Sequence, residues 1–350
     1  MRPDSRFVNL GEEKPEIESR LAEADGSSEI MTDEVVVETG ARLHFGLLAH
    51  SPQISRQFGG AGVMVSGIGY RLRGTVAEAD EVIGDEIAAD RVRRFVGAYR
   101  ESIPNGKQPP PCRINLEQVI PPHAGLGSGT QLGLATARVL AVLAGESATP
   151  AIPLAERVGR GLRSGLGIHG FERGGFLIDG GKRSKDAVAP LVGHAEFPSE
   201  WRFVLVTPKE FSGLSGSAEL KAFAEMAPMP TDMTDTLCRI LLLQMMPAVI
   251  EADFDACSAA IYEFGRMVGE YFAPTQGGVF ASPAMQQLAP VIRERGYTGI
   301  GQTSWGPTLF VLCRDQSHAD VLCGELRSDP NCQNCDIRCV KPMNHGATIK

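Results

Sequence analysis

Residues 121–135 read PPHAGLGSGTQLGLA, with four glycines, a serine and a threonine between a proline pair and an apolar, alanine-rich run. A strand, a glycine-rich turn and a helix in that order point free backbone N–H groups at one spot, where the helix dipole adds partial positive charge. Glycine lets the chain wrap tightly and removes the Cβ that would hold a phosphate off the backbone. The chemistry expected of His123, Ala124, Gly125, Leu126, Gly127, Ser128, Gly129, Thr130 and Gln131 is therefore anion binding, with the Ser128 or the Thr130 hydroxyl as a magnesium ligand. The loop is not a G-x-x-x-x-G-K-[ST] phosphate loop, because it supplies no lysine, and its glycines do not fit G-x-G-x-x-G. A tight turn that merely packs a helix on a sheet is the competing reading.

Several elements must position such a loop. The run 34–48, EVVVETGARLHFGLL, opens with a buried-type valine strand and turns into a second extended piece, on which Arg42 and His44 share a face by their i, i+2 spacing. Residues 58–76 read as glycine-punctuated strands. Apolar Ile87, Val92, Phe95, Val96 and Tyr99 predict a helix over 85–103, stopped at Pro104-Asn105-Gly106. A strand at 112–120 leads into the loop, and 129–145 predicts a strong helix ended by Gly145. Beyond it we expect a short helix, a glycine-rich bend and a strand ending at Asp179-Gly180-Gly181. Alternating Trp201, Phe203 and Leu205 open a second half, followed by helices at 232–253 and 254–273, a helix at 318–328 and a last strand at 336–344. Strands and helices mix without strict alternation, which argues for an α+β fold in two lobes. The expected organisation is a disordered acidic leader over 1–33, an N-terminal phosphate-binding domain over 34–195 and a C-terminal domain over 196–350.

Bulk properties exclude several classes. The net charge is −8 over 350 residues, and residues 1–34 hold ten acids against four bases, so the remainder is nearly neutral and carries no basic nucleic-acid footprint. The leader lacks a basic start and an apolar run, so it does not read as a secretory signal. No uninterrupted apolar stretch approaches 18 residues, which argues against a membrane span. Eight cysteines without an export signal imply reduced thiols in a cytoplasm. The stretch CQNCDIRC places Cys332, Cys335 and Cys339 at a spacing that zinc can use, with Cys323, His318 or His345 as a fourth ligand; no second C-x-x-C pair supports it, and plain thiols are the simpler reading.

PPHAGLGSGTQLGLA resembles the phosphate loop of the GHMP kinase superfamily, and its wording resembles most the branch of β-ribofuranosylaminobenzene 5'-phosphate synthases. ARLHFGL (41–47), RSGLGIHGFERGGFLIDGG (163–181), FSGLSGSAELKAF (211–223) and SWGPT (304–308) resemble further segments of that branch, in the same order. The resemblance implies a ribosomal-protein-S5-like N-terminal lobe and a ferredoxin-like C-terminal lobe. It also implies a pentosyltransferase reaction in the making of methanopterin-type one-carbon cofactors. Phosphoribosyl pyrophosphate and 4-aminobenzoate would give the C-riboside, carbon dioxide and pyrophosphate, with magnesium as cofactor. Kinases of the superfamily place a catalytic aspartate just after an S-G-x-G turn, whereas here 164–167 is followed by Ile168 and His169. A kinase lacking that carboxylate loses the group that takes the acceptor's proton. The loop is thus expected to hold a pyrophosphate that leaves.

For that reaction Arg42 and His44 hold the 5-phosphate or the benzoate, against an exposed arginine and a structural histidine; His123 adds a cation beside the loop, against a plain loop role; and Arg163 and Ser164 bind an anion, against a helix-end cap. Asp179 binds magnesium or ribose hydroxyls, although Asp-Gly turn chemistry explains it as well. Lys182 is a reach-to-phosphate candidate against a default of solvation. Ser304, Trp305 and Thr308 line the aromatic substrate's place, with Trp305 stacking on it or buried in the core. The LLLQMM run, 241–246, reads as helix core at a homodimer contact. A small-molecule kinase and a non-catalytic ligand-binding regulator of the same fold are the alternative functions. Neither nucleic acid nor membrane is an expected partner. Whether 4-aminobenzoate or 4-hydroxybenzoate is the acceptor is left open.

Overall fold

The valine run becomes β1 (Glu34–Glu38), and the extended piece after it β2 (Ala41–Ala49), which pairs antiparallel with β3 (Phe58–Ser66). The structure, a computed structural model, describes residues 33–51, 56–104, 106–161, 164–183, 188–210, 213 and 216–350. Apart from Asp33, the expected leader lies outside the described residues, as does Arg163. β4 (Arg71–Val76) and β5 (Glu81–Ile83) precede α1 (Glu86–Ser102), whose first turn is capped by the Asp85 carboxylate accepting from the Ala88 N–H at 2.9 Å. Ala88, Ala89, Val92, Phe95, Val96 and Tyr99 form its buried stripe. Ile87, placed on that stripe from sequence, is 61% exposed instead.

β6 (Cys112–Gln118) leads to α2 (Ser128–Leu143), which is buried on every side from Gln131 to Leu143. Gly74 of β4 has no Cβ to meet Val139, so the helix lies close on the sheet β13–β1–β4–β6–β5, where β13 (Thr348–Ile349) is the final strand. Past its end, Gly145 takes φ 78°, the left-handed residue that closes a helix C-terminus. α3 (Ala151–Arg157) is the short helix expected. The glycine-rich bend is not a bend but a helix, α4 (Leu166–Arg173). Its glycines serve packing: a Cβ at Gly170 would lie 2.5 Å from the Met64 sulfur, and one at Gly167 3.1 Å from Thr130.

β7 (Phe176–Asp179) and β8 (Leu191–Ala195) pair with each other, and the expected division between 195 and 196 falls at the end of β8. β9 (Arg202–Pro208), α5 (Gly216–Glu225), α6 (Thr231–Ile240), a π-helical turn at Leu241–Met245 and α7 (Met246–Ile250) follow. Thr231–Ile250 is long and apolar enough, at a mean hydropathy of 1.3, to cross a membrane by length and composition. It is not an uninterrupted apolar run, since Asp232, Asp235 and Arg239 fall within it. Leu237, Ile240, Leu241, Met245, Ala248 and Val249 are buried in the protein core, while Leu242, Leu243 and Ile250 are exposed, so LLLQMM is only half core.

The chain continues as α8 (Phe254–Gln276), α9 (Pro283–Glu294), β10 (Ile300–Gln302), β11 (Leu309–Cys313), α10 (Gln316–Ser328) and β12 (Cys335–Pro342). The order β10–β11–β9–β12, with helices between β9 and β10 and between β11 and β12, is the split βαβ arrangement of a ferredoxin-like lobe. β12 also pairs with β3 at Lys341↔Ser66 and Pro342↔Val65, so one sheet runs from the second half into the first. Residues 31–350 form one compact unit. A main apolar core underlies most of it, and a smaller core beneath β9 and β11 takes in Cys313, Cys323 and Cys332.

Candidate active site

The glycine loop, β2 and the 303–306 turn meet at a cleft of about 460 Å³. The loop enters from β6 and turns at Gly125 (φ 76°) and Gly127 (φ 72°), which stands at the N-terminus of α2 with no side-chain cap, leaving first-turn N–H groups for a ligand. A Cβ at Gly125 would overlap the Thr303 carbonyl oxygen. Thr303 is fully buried and stitches three elements together. Its hydroxyl accepts from the His44 N–H at 2.9 Å and donates to the Gly125 carbonyl at 2.9 Å, while Ser304 N–H donates to the His44 carbonyl at 3.1 Å. Arg42 N–H donates to the Leu126 carbonyl at 3.1 Å. β2 and the loop are thus held together by one backbone bond and by the Thr303 hydroxyl between them.

Of the residues named from sequence, Arg42, His44, His123, Gly125, Gly127, Ser128, Gly129, Thr130, Ser164, Ser304 and Trp305 line the cleft. A β-bulge between His44 and Gly46 breaks the strand alternation there. Three of the four non-glycine residues with positive φ among those described, Phe58, His123 and Ser304, also line it, a concentration of backbone strain typical of functional sites. Ala124 and Leu126 belong to the core instead, their side chains 4% and 2% exposed. Gln131 is buried, its Nε2 donating to the Gly167 carbonyl at 2.8 Å. Thr308 is buried against the Thr207 hydroxyl at 2.8 Å.

Asp179 is fully buried, and its carboxylate accepts from Ser164 Oγ at 2.8 Å, Gly165 N–H at 2.9 Å and Gly181 N–H at 3.2 Å. Those bonds hold the 164–166 turn in place. This accounts for Asp179 as a positioning residue rather than as a group presented to a metal or sugar. Burial pushes its pKa up against the lowering pull of the hydrogen bonds. Lys182 is neither solvated nor turned to the cleft: its ammonium donates to the Gly161 carbonyl at 2.8 Å. Ile168 and His169, at the position where kinases of this fold carry their aspartate, are buried in α4, with His169 Nε2 bonded to the Ala189 carbonyl at 2.8 Å. No carboxylate stands there.

The structure adds groups that the sequence reading missed. Arg91 and Arg160 line the cleft beside Ser128 and Gly129, and the charge of Arg91 acts on the buried Tyr70, whose hydroxyl donates to the Ile120 carbonyl at 3.5 Å. At the other end Leu47, Phe58, Phe223, Phe272 and Trp305 form an apolar wall. Trp305 lies 4.2 Å from Phe272 and 5.2 Å from Phe223 between ring centroids. Behind the wall His50 Nδ1 meets Tyr271 Oη at 2.7 Å, and burial lowers the His50 pKa. Glu219, one helical turn before Phe223 on α5, is the carboxylate among the described lining residues. The clue in sequence was G-R-G at 159–161, a cation between glycines; nothing local marked the aromatic wall.

Among the described residues no group of three or more His, Cys, Asp or Glu side chains could hold a metal. The cysteine run therefore supplies no closed zinc site in the arrangement described. Magnesium makes a smaller demand, one or two protein oxygens together with substrate phosphates and water. Ser128 and Glu219 fit that donor set.

An α+β fold of this topology, with an uncapped glycine loop at the head of a buried helix, defines a GHMP-type protein. The GHMP kinase N-terminal domain family matches residues 89–174, and the GHMP kinase C-terminal family matches residues 245–331. The chain belongs to the β-ribofuranosylphenol 5'-phosphate synthase family, within the GHMP kinase superfamily. It is 30% identical over 315 residues to the synthase of that name from Methanothermobacter thermautotrophicus, covering 80% of this chain and 89% of that one. To the namesake from Archaeoglobus fulgidus it is 28% identical over 290 residues, covering 79% and 87%. Among solved structures it is similar to mevalonate pyrophosphate decarboxylase from Streptococcus pyogenes (TM-score 0.62, 12% identity, 90% and 98% coverage) and to a homoserine kinase from Listeria monocytogenes (TM-score 0.60, 16% identity, 90% and 99% coverage). These two likenesses concern the fold alone.

Proposed function

We propose that this chain is a decarboxylating pentosyltransferase that joins phosphoribosyl pyrophosphate to a 4-substituted benzoate, in the biosynthesis of a methanopterin-type cofactor in the cytoplasm. The observation that carries the reading is the two-ended cleft: cations and backbone N–H groups at one end, an aromatic wall at the other. The C1–O bond to diphosphate breaks with its electron pair going to the leaving group, and the ring carbon bearing the carboxylate bonds to C1. That carboxylate then leaves as carbon dioxide, and its bonding pair restores aromaticity. Because carbon dioxide departs where a proton otherwise would, no strong general base is needed, which suits a cleft with a single lining carboxylate among the described residues.

In this reading the 125–130 loop and Arg42 hold the diphosphate, favouring the charge that grows on it as the bond breaks. Magnesium, when bound, adds charge neutralisation there, with Ser128 and Glu219 as protein oxygens. His44 and His123 flank the reacting groups, and Trp305 with Phe223 holds the ring in line for attack, a matter of orientation. The acceptor's para group must donate a lone pair to the ring, which an amine and a hydroxyl both do. We take 4-aminobenzoate as the acceptor, while the relatives' names specify a phenol product. The buried positions of Ile168 and His169, with no carboxylate there, support transfer over phosphorylation. A homodimer belongs to the same proposal, supported by exposed Leu242, Leu243 and Ile250, and is tested by sedimentation of the wild type beside Leu243→Lys.

Phosphorus-31 NMR of the protein with phosphoribosyl pyrophosphate and magnesium tests the reaction. Free pyrophosphate should appear when either benzoate is added, and the more productive benzoate identifies the acceptor. Unchanged phosphoribosyl pyrophosphate with both acids would refute the proposal.

A further inference from the structure

The cations of the cleft fall into two groups on either side of the first turn of α2. On one side a Cβ at Gly127 would sit 3.3 Å from Arg42 Cβ and 3.6 Å from its Nε. On the other, a Cβ at Gly129 would sit 3.1 Å from Arg91 Nη2 and 3.8 Å from Arg160 Nη1, so the two guanidiniums converge on one point. Both are held from behind. Arg91 stands beside the buried Tyr70, on which its charge acts. Arg160 lies over the Phe95 ring at 4.6 Å, between Gly159 and Gly161, both of positive φ. Its N–H donates to the Ala155 carbonyl at 2.7 Å, and Lys182 holds the Gly161 carbonyl.

We propose that Arg91 and Arg160 form a second anion subsite, separate from the diphosphate place at Arg42, which takes the 5-phosphate of the ribosyl substrate. The assignment rests on the transferase reading and follows from the order of groups along the cleft. The diphosphate must lie where the aromatic ring attacks. Arg42 is on that side, because β2 carries His44, Gly46 and Leu47 onward to the apolar wall and is bonded to the 303–304 turn. Arg91 and Arg160 pack instead on Tyr70, Phe95 and Gly133, none of which lines the apolar wall. Two converging guanidiniums match a terminal phosphate monoester, whose three oxygens can each accept from a planar fork of donors.

Titration calorimetry of the full chain with two probes, ribose 5-phosphate and inorganic pyrophosphate, tests this. Arg91→Gln and Arg160→Gln should each weaken ribose 5-phosphate about tenfold or more while moving pyrophosphate by no more than about twofold, and Arg42→Gln should do the reverse. Arg91→Lys, which keeps the charge and loses the fork, should fall between wild type and Gln; it also serves as the variant if Arg91→Gln melts early. Pyrophosphate weakened as much as ribose 5-phosphate by the Arg91 and Arg160 variants would place the pair in the diphosphate site and overturn the proposal. Unchanged ribose 5-phosphate affinity in those variants would overturn it too, leaving the transferase reading standing. A wild type that binds neither probe but binds ATP would remove both.

Discussion

At its phosphate end the cleft is built from backbone: Gly125 and Gly127 in left-handed conformations, an uncapped helix N-terminus, and guanidiniums gathered around it. At its apolar end it is built from the side chains of Leu47, Phe58, Phe223, Phe272 and Trp305, which come from five separate stretches of the chain. The two constructions fail differently. A loop whose ligands are its own amides has little slack: carbonyl oxygens of the 303–306 turn fill the place of a Cβ at Gly125, and Arg42 crowds one at Gly127. A wall of side chains can lose part of one ring and still present an apolar surface, so its losses should be graded.

Gly127→Asp should have the largest effect. It adds a negative charge where the diphosphate must lie, and two unit charges ~4 Å apart cost about 4 kcal/mol at an effective dielectric of 20, close to a thousandfold in affinity. Turnover should vanish while the far-ultraviolet circular dichroism stays that of the wild type. Thr303→Val comes next. It leaves the buried His44 N–H and Gly125 carbonyl without their partner, at ~1–3 kcal/mol for each group, and should lower both the melting temperature and kcat/KM. Phe223→Leu sharpens the contrast from the other end. It should raise KM for the aromatic acid several-fold, for a loss of ~1 kcal/mol of ring contact, and leave KM for phosphoribosyl pyrophosphate unchanged.

Asp179→Asn is expected to act more weakly, through the 164–166 turn, and its signature is pH. Burial raises the Asp179 pKa in the folded chain above its ordinary 3.8, so this group's contribution to stability is present at low pH and lost as pH rises through the raised value. The variant lacks that loss. Denaturant titrations across the acid-to-neutral range should find its stability rising relative to wild type as pH increases; a constant difference would mean that Asp179 is not raised. The smallest effect is expected at the cysteines. Chelation with magnesium then restored should leave the melting temperature unmoved, and stoichiometric zinc in the purified protein would contradict it.

How much could be read beforehand follows the same division. The loop was legible because its ligands are contiguous, and Arg42 and His44 because strand alternation puts i and i+2 on one face. Trp305 was legible as a choice between core and cleft, and it serves both: 3% exposed, it still lines the cavity. Phe58, Phe223 and Phe272 were not legible, since no local spacing joins residues brought together only by packing of β3, α5 and α8. Arg91 was hidden on what reads as the solvated face of α1. α4 was misread because glycine's usual meaning is a turn, whereas Gly167 and Gly170 are there to let Thr130 and Met64 approach.

The central claim is that the anion held by the glycine loop leaves rather than donates a phosphoryl group. Release of labelled carbon dioxide from carboxyl-labelled 4-aminobenzoate or 4-hydroxybenzoate, with phosphoribosyl pyrophosphate and magnesium, tests it most directly. The account predicts one carbon dioxide per pyrophosphate in the wild type, none in Gly127→Asp, and no ADP when ATP replaces phosphoribosyl pyrophosphate. A wild type that releases no label and forms ADP from ATP with a small alcohol would contradict it.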